Sequence, residues 1–67
     1  MAVAKIVELV GSSKKSWEDA VNQTIEKASH TIRNIKGLDV VGHKAIVENN
    51  KIVEYRVVTK VSFLVED

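Results

Sequence analysis

Ser29 and His30 set a nucleophile type beside a base type. Read on a helix, neighbouring residues point about 100° apart, so the two cannot form a nucleophile–base pair locally. His30 reads instead as a solvated helix residue. Glu18 and Asp19 have the make-up of an acid pair, but at the start of a helix their work is capping. The three glycines stand too far apart for a phosphate-cradling loop. The two histidines and their acidic neighbours lack zinc-ligand spacing, and the absence of cysteine excludes disulfides and thiolate metal sites. No EF-hand loop is present, although carboxylates from several chains can still hold a cation on a symmetry axis. His43 and Arg56 have more to offer. A neutral imidazole beside a guanidinium suits either a polar ligand or a structural hydrogen bond where subunits meet. The residues alone describe a binding or structural module, not an enzyme.

The element that must position these groups is a long amphipathic helix from Ser16 to Gly37. Trp17, Ala20, Val21, Thr24, Ala28, Ile32 and Ile35 recur at helical spacing along one stripe. Trp17 heads that stripe and reads as core rather than as a cofactor platform. Ser16 with Asp19 resembles a capping box. The acids of the first turn and Arg33 and Lys36 in the last suit the helix dipole, and Gly37 takes the place of a left-handed C-cap.

Everything else reads as strand. Lys5 to Val10 sets Val7 and Leu9 on one face against Ile6, Glu8 and Val10 on the other. A second strand runs from about Leu38 to Val47. Glu48-Asn49-Asn50-Lys51 makes a tight turn, because asparagine tolerates positive φ. From Ile52 to Val65, Val53, Tyr55, Val57, Val61, Phe63 and Val65 alternate with Glu54, Arg56, Lys60, Ser62 and Glu66; Val58 and Thr59 are the soft spots. A regular hairpin about Asn49-Asn50 sets Ile46 opposite Val53, Val40 opposite Thr59 and Leu38 opposite Val61 on the helix side. On the other face it pairs Val47 with Ile52, Ala45 with Glu54, His43 with Arg56, Val41 with Val58 and Asp39 with Lys60. That face mixes apolar and charged pairs, as expected where subunits meet or a ligand lies. The fold class is therefore α+β, in the order β-α-β-β, with a three-stranded antiparallel sheet against one helix.

Sixty-seven residues predict a single domain over 1–67. Such a core alone supplies roughly 3–5 kcal/mol, so oligomerisation is the expected supplement. A net charge of +1 leaves no electrostatic footprint for nucleic acid or an anionic membrane, and Lys14-Lys15 reads as a solvated loop pair. Glu8 interrupts the apolar N-terminal run, which is why residues 1–11 do not read as a signal peptide, and no transmembrane segment is evident. Together with the lack of cysteine, this is compatible with a cytoplasmic protein.

The segments Val7-Glu8-Leu9-Val10-Gly11-Ser12-Ser13, Glu54-Tyr55-Arg56-Val57-Val58, Val61-Ser62-Phe63 and Leu64-Val65-Glu66, with one helix between the first two, resemble those of a dodecin over nearly the whole chain. The resemblance implies a sheet wrapped around the helix, and twelve protomers arranged as trimers in a hollow shell. It also implies binding and storage of flavins such as riboflavin or FMN, without turnover. In flavin-binding dodecins an indole just after the helix stacks on the isoalloxazine, and a glutamine on the last strand bonds the flavin's polar edge. Alignment puts Gly37 and Arg56 at those positions. Losing the indole removes about 0.5–1.5 kcal/mol beyond area burial, and a guanidinium offers no acceptor. The expectation is a flavin-free or weakly flavin-binding dodecamer, with His43 and Arg56 available to a small anionic ligand. Ser16-Trp17-Glu18 is similar to the helix start of flavin-independent members, some of them calcium-binding, but the resemblance assigns no metal ligand here. The alternatives are a flavin store with a re-routed pocket, a cation-binding assembly and an accessory subunit of a larger partner.

Overall fold

The computed structural model describes residues 3–65. Its elements run β1 (Ala4–Ser13), α1 (Trp17–Ala28), β2 (Ile35–Glu48) and β3 (Lys51–Leu64). They form one antiparallel sheet in the order β1-β3-β2, with α1 packed on β1 and β3. The β-α-β-β order and the single helix among the described residues agree with the sequence expectation. Glu66, expected to end the alternation of the last strand, lies outside those residues.

The helix starts as expected and stops much earlier. Ser16 is the N-cap, and its Oγ accepts from the Asp19 N–H at 2.9 Å. The Asp19 carboxylate does not return the favour; it accepts from Ser13 Oγ at 2.6 Å and ties β1 to the helix start. At the other end Ser29 caps the helix, with its Oγ donating to the Glu26 carbonyl at 2.6 Å. The N–H groups of His30 and Thr31 reach back only three residues, to the carbonyls of Lys27 and Ala28. Such tight bonds end a helix rather than extend it. The left-handed residue is Asn34, at φ 60°, and Gly37 is an ordinary β2 residue. Ile32 and Ile35 continue the helical spacing by coincidence. Ile35 is instead paired with Phe63, and cross-strand pairing outweighs one more turn of β-branched residues.

The hairpin turn is the one predicted, with Asn49 at φ 53° and Asn50 at φ 62°. Its arms are not regular. Val47 pairs with Ile52 but Ile46 pairs with Glu54, so Val53 is an extra residue on β3. Val40 pairs with Thr59 and Gly42 with Val58, so Val41 is an extra residue on β2. A third irregularity leaves Lys36 between Ile35 and Gly37. Between the first two bulges the register is displaced by one residue and then restored. The pairs Val40–Thr59, Asp39–Lys60 and Leu38–Val61 form as expected; Val47 also pairs with Ile52, but beyond the bulge at Val53 that pair turns to the helix side and not to the outer face. Ile46–Val53, Ala45–Glu54, His43–Arg56 and Val41–Val58 do not: His43 is opposite Val57, and Ala45 opposite Tyr55.

The core lies between α1 and the inner face of β1 and β3. Ala20, Ala28, Val57 and Val61 are its buried apolar residues, joined by Thr24 and Thr59. Val53, expected on the helix side, is the bulged residue and is exposed. Thr59 is fully buried because its Oγ1 donates to the Leu9 carbonyl at 2.8 Å, joining the two strands by a side chain as well. The radius of gyration is 13.8 Å, against about 11 Å for a compact domain of this length.

Candidate functional site

Gly37 and Arg56 share the outer face of the sheet, away from the helix. Paired residues project on the same side, so β3 orders that face into rows. Ile6, Ser62 and Gly37 form one row, Glu8, Lys60 and Asp39 the next, then Val10, Val58 and Gly42, and then Ser12, Arg56 and Lys44. Gly37 and Arg56 are thus separated by six residues of β3, about 20 Å along an extended strand. One protomer does not bring them together. A Cβ at Gly37 would lie 3.1 Å from Ser62 Oγ, tight but facing a rotatable hydroxyl. Arg56 Nε donates to Glu54 Oε2 at 2.6 Å, one pair further along the same face. Arg56 keeps 47% of its side-chain surface exposed, so this pair is worth at most about 1 kcal/mol and leaves the other guanidinium nitrogens free for an anion.

His43 does not join them. The displaced register turns it to the inner face, in the row of Val57, so the expected neighbourhood of His43 and Arg56 is corrected: the sheet separates the two. His43 meets Trp17 instead. The indole stands edge-on to the His43 ring at 5.8 Å and to the Tyr55 ring at 4.9 Å. Its Nε1–H donates to the Lys44 carbonyl at 2.9 Å. Two edge-to-face contacts and one hydrogen bond therefore clamp the first helical residue onto β2 and β3. Helical spacing marked Trp17 as apolar stripe and the alternation of β3 put Tyr55 on the helix side, but His43 joins them only through the bulge at Val41. The signal for that bulge in the sequence is Gly42, since glycine inside a strand often marks one.

Two clefts flank the helix. One of about 370 Å³ lies between β1 and the second half of α1, lined by Leu9, Val10, Gly11, Ala28 and Ile32 among others. The other, about 360 Å³, lies where the chain leaves the helix, beside Lys5, Arg33 and Phe63. Neither contains Gly37, His43 or Arg56. Ser29 and His30 are both exposed at the helix end. Among the described residues no three histidine or acidic side chains come close enough to hold a metal ion. None of the described helices is long and apolar enough to cross a membrane.

Comparison with known proteins agrees with this architecture. The family model described as Dodecin matches residues 3–66. A dodecin of Thermus thermophilus is 32% identical over 97% of this chain and 94% of its own. A crystal structure of a variant of the T. thermophilus dodecin superposes with a TM-score of 0.95 at 31% identity, covering all of both chains. The calcium dodecin of Mycobacterium tuberculosis is 29% identical over 94% of this chain and 89% of its own. Its crystal structure, described as that of a calcium-chelating antigen, gives a TM-score of 0.84 at 26% identity, covering 96% of this chain and 91% of that one. On the sequence match, the β-α-β-β topology and the superposition, the chain belongs to the dodecin family.

Proposed function

We propose that this chain is a non-enzymatic cytoplasmic protein that assembles into a hollow homo-dodecamer built from trimers, and that it binds small ligands without turning them over. The observation that carries the reading is the half-covered sheet. The helix shields one face, while Ile6 and Val10 on the other keep 61% and 67% of their surface exposed. Isolated exposed apolar residues are ordinary; an uncovered sheet face that carries them, with open strand edges in an elongated protomer, calls for neighbours. Family membership supports the same assembly.

Riboflavin and FMN bind weakly in this reading. Gly37 offers no ring for stacking and Arg56 no acceptor, and 20 Å of strand separates them, so a shared pocket needs a second protomer. Arg56 suits an anionic group better than a flavin edge, whereas His43 lies on the inner face and takes no part in the same pocket. A cation-binding assembly is the second reading, favoured by the calcium dodecin relative. Its ligands must come from several protomers, because the described part of one protomer does not supply three.

Native mass and the absorbance spectrum of the protein as purified test both halves. A colourless dodecamer that fails to quench riboflavin fluorescence agrees with the proposal. A yellow preparation with tight quenching replaces it with a flavin store, and a monomeric mass removes the assembly.

A further inference from the structure

The inner face of β1 carries Gly11, Leu9 and Val7 at a period of two, and the next residue in that series is Lys5. Its row continues with Phe63 of β3 and Ile35 of β2, two residues beyond the fully buried Val61. A cation thus stands where the alternation of the strand calls for an apolar side chain. Helix α1 ends at Ala28, and residues 31–34 of the connection face this row across a cleft of about 360 Å³. The connection is pinned to β3 there, because the Leu64 N–H donates to the Asn34 carbonyl at 3.0 Å.

Ile32, Phe63, Leu64 and Val65 supply the apolar wall of that cleft, and Lys5 and Arg33 line it as well. Among the described residues no acid lines it and neither cation has an ion-pair partner. Two cations that share a cleft repel one another, and an anion between them relieves the repulsion. A bare inorganic anion would leave the apolar wall in water, and a neutral apolar molecule would leave both cations unmatched. The combination selects a molecule with both parts. Volume sets its scale, since clefts of roughly 300–1,000 Å³ hold small organic ligands.

We propose that this cleft binds a small amphipathic anion, with its apolar body against Ile32, Phe63 and Leu64 and its carboxylate or phosphate head between Lys5 and Arg33. A guanidinium takes either head in a fork, and an ammonium adds a point charge beside it. The site lies on the inner face of the sheet, whereas Gly37 and Arg56 lie on the outer one. The inference rests on the small-ligand reading above and gives it a ligand class and a place, on residues that reading does not use.

Anilinonaphthalene sulfonate, a fluorescent amphipathic anion, probes the cleft in the intact protein. Its emission should rise on binding, and octanoate and monooctyl phosphate should displace it at concentrations where octanol does not; the stronger competitor identifies the head group. Lys5→Gln with Arg33→Gln should weaken the probe by about tenfold or more while native mass and far-UV circular dichroism are kept. Arg56→Gln should leave its affinity unchanged. Octanol competing as well as octanoate overturns the site without recourse to any variant. A probe that does not bind, or a double variant that binds it as the unmodified protein does, overturns the site and leaves the outer-face reading to its riboflavin titration. Affinity lost in Arg56→Gln but kept in the double variant overturns it too, and moves the anion to the outer face.

Discussion

Gly11 of β1 lies directly beneath Thr24 of α1, so close that a Cβ on Gly11 would collide with Thr24 Oγ1 and stand 2.9 Å from the Ala20 carbonyl. The glycine has no unusual backbone angle to explain it, since no glycine here has positive φ. It is small because the helix crosses the strand there. Thr24 turns its hydroxyl to the Ala20 carbonyl at 2.8 Å, which satisfies the group but keeps it in the contact.

Gly11→Ala should therefore destabilise the fold, by about 1–3 kcal/mol, the usual cost of overpacking a close contact. Thr24→Ala in the same chain should recover part of the loss, because it removes the hydroxyl that Cβ meets. Denaturant midpoints of the two single variants and the double variant, at one protein concentration, give the coupling.

Thr59→Val tests the buried hydroxyl. The shape is kept while the hydrogen bond to the Leu9 carbonyl is lost, and the expected cost is about 1 kcal/mol. Equilibrium unfolding reads it, and a neutral result would mean that the β1–β3 ladder alone satisfies that carbonyl.

Asn50→Ala tests the turn. Asn50 holds φ 62°, and a Cβ without a local hydrogen-bonding group pays about 1 kcal/mol there. Asn50→Gly should be neutral or stabilising by comparison. The order glycine, asparagine, alanine in thermal midpoint is the expected outcome.

Gly37→Trp with Arg56→Gln should raise riboflavin affinity well above that of the unmodified protein without changing the oligomer. Because Gly37 lies in β2 with no left-handed angle, the indole carries no backbone penalty, and Ser62 Oγ has only to give by a few tenths of an ångström. Fluorescence titration measures the gain, alongside native mass. Unchanged affinity in an intact assembly would show that the ligand pocket is built from other residues.

Concentration should matter to stability as well. If assembly covers the outer face, dilution lowers the unfolding midpoint, as mass action requires. A midpoint independent of concentration over a hundredfold range would mean that the protomer is stable alone.

The order of elements, the Asn49-Asn50 turn, the Ser16 cap and the inner-face positions of Tyr55, Val57 and Val61 were legible in the residues themselves. Each depends on local chemistry or on a period of two, which neighbouring residues specify without help. Gly37 and Arg56 rest instead on the resemblance of segments to the family, and their part in a ligand site is a proposal. Where the helix ends was not legible. Ile32 and Ile35 keep helical spacing, and only the pairing of Ile35 with Phe63, far away in the chain, draws that segment into a strand. Nor was the company of His43. Bulges at Val41 and Val53 cancel over the hairpin, so the register looks regular at both ends while His43 changes face between them. Bulges are settled by how strands twist over a packed helix, a property of the whole sheet, and that is why His43 belongs with Trp17 rather than with Arg56.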